Sequence, residues 1–195
     1  MNTSIFPEQA PAFMILTQRL FIAVPVPDNL KLFFQEQLLH YTSHAIRLVP
    51  WDNLHLTVHF LGETPADNLE SIVTILQTVA ARTEAFTLHL ECLEPGPKPN
   101  SPRLIWARFA AHPAFTALCT AITTQLGVKP GSQDYIPHIT LARFRKDVAK
   151  PTALPIKNLK NQQISLPVNS LALWQSELKS PHPEYRILVR HPLAP

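Results

Sequence analysis

Residues 53–62 read NLHLTVHFLG and residues 137–144 read PHITLARF. In an extended strand, residues two apart point to the same face. His55 and Thr57 therefore project together, and Leu56 and Val58 face the other way, toward a core. His138 and Thr140 stand in the same relation to Ile139 and Leu141. One His-x-Thr copy carries little weight, because short patterns recur by chance. Here the surroundings repeat as well. Arg19-Leu20-Phe21 and Arg103-Leu104-Ile105 lie 84 residues apart, and the two motif histidines 83 apart. Two copies are too few for a solenoid.

Working outward, each half reads strand, helix, motif strand. Leu20 to Val24 is a short apolar run stopped by Pro25, and Asp28 is placed to cap a helix. Leu30, Phe33, Phe34, Leu38 and Tyr41 give that helix one apolar face. Ile46 to Pro50 reads as a short strand, and Leu54 to Leu61 as the motif strand closed by Gly62. Thr64 then caps a helix with Pro65 at its first position and a stripe of Leu69, Ile72, Val73, Leu76 and Val79. Phe86 to Leu93 alternates as a strand and runs into the proline-rich EPGPKPNSP.

After that linker, Leu104 to Phe109 is a strand. Pro113 opens a helix carrying Phe115, Leu118, Cys119, Ile122 and Leu126, and Gly127 stops it. Ile136 to Phe144 is the second motif strand. Residues 145–165 form no convincing helix, and Leu166 to Trp174 and Tyr185 to Val189 add strands. The expectation is an α+β fold: two similar lobes, each an antiparallel sheet with helices on its outer face, around a central cleft. Residues 1–17 lack periodicity and read as a loose lead-in to one bilobal domain over 18–195, and Met14 is an alternative start to Met1.

Composition narrows the function. The 195 residues are 46% apolar and 16% charged, enough to bury a core. No apolar run reaches membrane-spanning length and no secretory pattern opens the chain. The two cysteines, Cys92 and Cys119, make neither a disulfide framework nor a metal spacing, so a cytoplasmic protein is expected. The four glycines (Gly62, Gly96, Gly127 and Gly131) match no phosphate-binding loop. A bound phosphate would have to be held by side chains or isolated backbone donors.

The paired motifs supply such side chains. If a pseudo-twofold brings both His/Thr pairs to one cleft, a neutral imidazole can take a proton from an attacking water or hydroxyl. A protonated imidazole can give one to the departing oxygen, while the threonines donate to non-bridging phosphate oxygens. Histidine suits both tasks because its pKa near 6.5 lets both forms coexist near neutrality. The scheme requires no metal and no cofactor, and the residues alone leave open which histidine is the acid.

RLFIAVPVP at 19–27, NLHLTVHFLG at 53–62, PHITLARF at 137–144 and LALWQSEL at 171–178 together resemble the RNA 2′,3′-cyclic phosphodiesterases, also called 2′-5′ RNA ligases, of the two-histidine phosphoesterase superfamily. The likeness runs from about Arg19 to Val189. It implies a bilobal α+β fold and hydrolysis of a 2′,3′-cyclic phosphate to a 2′-phosphomonoester. It also implies that His55 protonates the departing 3′-oxygen, His138 activates water, and Thr57 and Thr140 hold the phosphate. The partners expected are RNA ends or nucleotide 2′,3′-cyclic phosphates, with no membrane and no obligate protein partner.

Other positions are secondary candidates for substrate binding. His59 alternates onto the face of His55 and Thr57. Arg143 matches the family's arginine after the second motif, but its odd offset from His138 requires a bulge to bring it to the same face. Tyr135 and Trp174 could stack on a base. His112, His182 and His191 precede prolines and receive no role. The basic stretch Arg143, Arg145, Lys146, Lys150, Lys157 and Lys160 reads as an edge of an RNA path or as a solvated loop. Rival readings are a cyclic phosphodiesterase for an ADP-ribose-type nucleotide, RNA end joining, a non-catalytic RNA-binding module, and a metal site at His55 and His59.

Overall fold

A computed structural model describes residues 16–39, 44–98, 102–129, 135–145, 148 and 156–195. The chain runs β1 (Thr17–Pro25), α1 (Asp28–Leu38), β2 (Ile46–Leu48), β3 (His55–Pro65), α2 (Leu69–Arg82), β4 (Phe86–Gly96) and β5 (Leu104–Phe109). It continues through α3 (Pro113–Gln125), β6 (His138–Phe144), β7 (Lys157–Asn158), β8 (Ser165–Val168), β9 (Ser170–Glu177) and β10 (Glu184–Pro192). The α+β class is as expected.

The strands form an antiparallel path β10-β9-β1-β3-β6-β5-β4-β7, with β2 beside β6 and β8 beside β4. The late strands are exchanged between halves: β4 pairs with β5 of the second half, and β9 with β1 of the first. The two half-sheets meet at one residue pair, Leu56 opposite Ile139. Each of these follows its own motif histidine by one position, so the pseudo-twofold passes between them.

One face of the sheet is buried under the helices. Leu20, Ile22, Val24, Leu56, Ile105, Ala107 and Ile139 pack there with Phe34 of α1, Leu76 of α2 and Leu118 of α3. Full burial of a leucine such as Leu76 contributes about 1.5–3 kcal/mol. The opposite face carries a small aromatic cluster of Phe21, Ala23, Ala172 and Trp174, with Tyr185 against it.

Element ends differ from expectation in places. Asp28 is the first helical residue, not a cap; Pro27 precedes it, and the Asp28 carboxylate pairs with Lys31 at 3.3 Å. Strand β3 does not close at Gly62, whose φ of +73° turns the chain while pairing continues to Thr17 opposite Pro65. Thr64 therefore lies in the strand and donates to the Gly62 carbonyl, and α2 starts after a short 3-10 turn at Ala66–Asn68. That same pairing puts Thr17, expected in the lead-in, in β1. Tyr41, and Lys146 and Lys150 of the basic stretch, fall outside the described residues. His112 has a structural task, its Nδ1 accepting from Ala114 N as the cap of α3.

Candidate active site

The alternation of His and Thr with buried Leu, Val and Ile puts both motif pairs on the face away from the helices. The register of Leu56 and Ile139 sets His55 across from Thr140, and Thr57 across from His138. All four line one cleft of about 880 Å³, as do Tyr135 and Arg143. No Asp or Glu is found among the described residues lining it.

The two histidines are oriented alike. His55 Nδ1 is 2.7 Å from the Asn53 carbonyl oxygen, and His138 Nδ1 is 2.8 Å from that of Ile136. A carbonyl only accepts, so Nδ1 carries the proton in each ring and donates it. That leaves Nε2 of each as the atom able to take or deliver a proton, with each ring held by a carbonyl two residues upstream. Neither the Thr57 nor the Thr140 hydroxyl has a hydrogen-bond partner among the described residues.

Mirrored bulges shape the rest of the site. Ala23 pairs with Thr57 and Ile22 with His59, so Val58 is an extra residue in β3. Residues directly opposed across strands share a face. His59 is thereby turned to the core face with Ile22, and Phe60 to the cleft face with Phe21. His59 is absent from the cleft lining, whereas Phe60 is present. The sequence expectation for His59 is corrected, and with it the two-histidine metal option. In the second half, Trp106 pairs with Thr140 and Ile105 with Ala142, making Leu141 the extra residue. That bulge carries Arg143 to the cleft face. Phe60 and Arg143 are thus equivalent positions, five residues past their histidines.

The surroundings of the two rings are unequal. His55 lies on an aromatic bed, its centroid 4.7 Å from Phe21, 5.8 Å from Trp174 and 5.5 Å from Tyr185. Burial there pushes its pKa down to about 4; the Asn53 carbonyl opposes this, and the charges of Arg143 and His138 add to it. His138 rests on Trp106 at 4.4 Å, and burial lowers its pKa too, against the Ile136 carbonyl. Trp174 is only 5% exposed and outside the cleft lining, so it supports His55 and is not a stacking platform. Phe60, by contrast, is 68% exposed at the cleft.

Sequence reasoning missed Phe60, Trp106, Tyr185, Arg47 and His182, all of which line the cleft. For Phe60 a signal existed: aligning HLTVHF with HITLAR places it at the position of Arg143. Of the basic stretch, Arg143 and Arg145 line the cleft, while Lys157 donates to Gln37 and Lys160 pairs with Glu91.

The model of the 2′-5′ RNA ligase superfamily matches residues 26–179. The chain belongs to that superfamily. This bears out the resemblance to the two-histidine phosphoesterases. Among solved structures, the TT0787 protein of Thermus thermophilus is similar at 26% identity and TM-score 0.78, covering 90% of this chain and 97% of that one. E. coli LigT in its apo form is 25% identical at TM-score 0.73, covering 92% and 99%. A curated Aeropyrum pernix RNA 2′,3′-cyclic phosphodiesterase is 28% identical over 113 residues, 55% of this chain. The match spans 64% of that relative's length.

Among the described residues, no group of three or more His, Cys, Asp or Glu is placed to hold a metal ion. No helix among them is long and apolar enough to cross a membrane.

Proposed function

We propose that this chain hydrolyses a 2′,3′-cyclic phosphate, at an RNA end or on a nucleotide, to a 2′-phosphomonoester. The observation that carries the reading is the matched pair of Nδ1–carbonyl hydrogen bonds, which leaves two Nε2 atoms and two free threonine hydroxyls for one cleft. The curated Aeropyrum relative is named an RNA 2′,3′-cyclic phosphodiesterase, and a crystal structure of E. coli LigT holds 3′-AMP.

In the proposed reaction, His138 Nε2 takes a proton from water as the oxygen attacks phosphorus. The bond to the ribose 3′-oxygen breaks, and His55 Nε2–H protonates that oxygen. The roles follow the family resemblance. Thr57 and Thr140 donate to the non-bridging oxygens, and Arg143 offsets their charge. Both proton transfers are made by imidazoles, so the scheme asks for no metal. With the 5′-hydroxyl of a second RNA attacking phosphorus in place of water and the same 3′-oxygen leaving, the site would join RNA ends through a 2′-5′ linkage.

Burial alone favours the neutral form of both rings, which would leave the acid without its proton near pH 7. The bound diester supplies the missing charge. One unit charge at 4 Å is worth about 4 kcal/mol at an effective dielectric of 20. That is roughly three pKa units, comparable to the depression imposed on His55. The base must be neutral, so activity rises with pH through its pKa; the acid must be protonated, so activity falls above its own. With both values lowered in the free protein, the kcat/KM bell centres on the acid side of 6.5, and the kcat bell lies at higher pH.

Exposed Phe60 is suited to stack on the base, as aromatics do with unpaired nucleotides. Cys92 and Cys119 are both free and buried, which suits a reducing, cytoplasmic setting. The test is to offer nucleoside 2′,3′-cyclic phosphates with a chelator present and identify the product by phosphorus NMR. A single 2′-phosphomonoester is expected; the 3′-isomer, or no turnover, would overturn the proposal.

A further inference from the structure

The arginines of the cleft gather at one end of it. Arg47 of β2 stands directly opposite Arg143 of β6, and Arg145 follows just past the end of β6, its N–H bonded to the Ala45 carbonyl. All three line the cleft. Like charges directly opposed across strands destabilise a sheet unless something negative compensates. Some cations elsewhere do have acidic partners: Arg108 is held by Glu91 and Glu94, Arg19 by Glu63, and Lys179 by Glu177 and Glu184. Among the described residues, Arg47, Arg143 and Arg145 have no acidic partner, and the cleft lining has no carboxylate to offer one.

Arg47 is nonetheless held in position. Its Nη1 donates to the Pro181 carbonyl at 2.8 Å, and Asn53 Nδ2 donates to that of Pro183 at 2.6 Å. These two bonds fasten residues 181–183 beside the cleft, with His182 on its lining. Only one nitrogen of the Arg47 fork is used this way, leaving donors for an oxyanion. The His182 pKa is lowered, first by burial and then by the charge of Arg47, so the ring does not add to the positive charge near neutrality.

Distance along β6 separates this basic end from the anion seat. Thr140 and Arg143 stand opposite Trp106 and Leu104, two residues apart on β5, roughly 7 Å at about 3.3 Å per residue. Arg143 reaches back, since its charge is felt at His55. Arg47 lies beside Arg143 across the β2–β6 pair and Arg145 two residues beyond it; of the three charges only that of Arg143 is felt at His55, which leaves Arg47 and Arg145 for another group.

We infer that Arg47 and Arg145 form a second phosphate seat, which holds a non-reacting phosphodiester of an RNA chain whose cyclic phosphate end lies between the two histidines. This inference rests on the proposed function and refines it. The substrate is then an oligoribonucleotide bearing a cyclic phosphate, in preference to a free nucleoside cyclic phosphate. Arginine fits the seat because its planar fork can make two parallel bonds to one phosphate.

The test compares a nucleoside 2′,3′-cyclic phosphate with a trinucleotide ending in the same group. The trinucleotide should have a kcat/KM at least tenfold higher, with the advantage shrinking as salt rises. Arg47→Gln and Arg145→Gln should each remove most of that advantage through KM, with a loss at least fivefold smaller on the mononucleotide. Each should also lower the slope of log affinity against log salt by about 0.7, the single-strand value per contact. The Arg145 side chain makes no hydrogen bond or ion pair among the described residues, so its variant serves if Arg47→Gln fails to fold.

Equal losses on both substrates, or no trinucleotide advantage in the unaltered protein, would overturn the seat and leave cyclic phosphate hydrolysis standing. If neither substrate turns over, the hydrolysis reading fails and the seat is judged by binding. Tighter binding of a trinucleotide 3′-phosphate than of a nucleoside 3′-phosphate, abolished by Arg145→Gln, supports it; equal binding overturns it.

Discussion

The two halves of the cleft share a scaffold and differ in what surrounds it. Each has a histidine bonded through Nδ1 to the carbonyl two residues upstream, a threonine two residues on, and a bulge one residue beyond that. Around His55 the neighbours are Phe21, Trp174 and Tyr185, with exposed Phe60 at the bulge-shifted position. Around His138 there is one indole, Trp106, and the bulge-shifted position is Arg143. The local scaffold presents two imidazoles in matched orientation, and the surroundings make the two ends of the cleft unequal. Charge collects on one side and aromatic surface on the other, so under the proposed function a nucleotide would enter one way round.

The largest expected effect comes from removing either shared element. His55→Ala and His138→Ala should each lower kcat by roughly 10²–10⁴, the range for general acid–base groups, with folding retained by circular dichroism. Full activity in either variant would take that ring out of the reaction. Next are the hydroxyls. Thr57→Val and Thr140→Val should each cost about 1.5–3 kcal/mol in kcat/KM, the range for a hydrogen bond to a charged group. An unchanged kcat/KM in both would show that the hydroxyls do not touch the phosphate.

A smaller and more local effect is expected at Gly96. A Cβ there would sit 2.3 Å from Trp106 Cε2, so any side chain displaces the indole beneath His138. Gly96→Ala should cost about 1–3 kcal/mol of stability, typical of overpacking, read as a lowered Tm. It should also move the His138 titration and leave that of His55 in place. Movement of both rings would mean the halves are less independent than the geometry implies.

The core was legible in the sequence because it is local. Apolar stripes at helical spacing marked α1, α2 and α3, and the alternation of His and Thr with Leu, Val and Ile marked β3 and β6. The paired motifs and their correspondence marked the half-repeat and the cleft. The bulges were not legible, because His55, Thr57 and His59 alternate without a break and the extra residue arises only when β3 pairs with β1. Reading that alternation as regular selected His59 in place of Phe60. The exchange of β4 and β9 between halves depends on pairing between distant segments, which no local pattern encodes. Arg47 sits on a three-residue strand and has meaning only from its register against Arg143.

The most direct test of the central claim is a proton titration of both imidazoles by nitrogen-15 NMR, with and without a nucleoside 2′-phosphate. In the free protein, His55 should titrate at about 4 and His138 below its usual 6.5. The bound phosphate should raise both pKa values together, because two Nε2 atoms face one anion. A shift in only one ring, or in neither, would contradict the account.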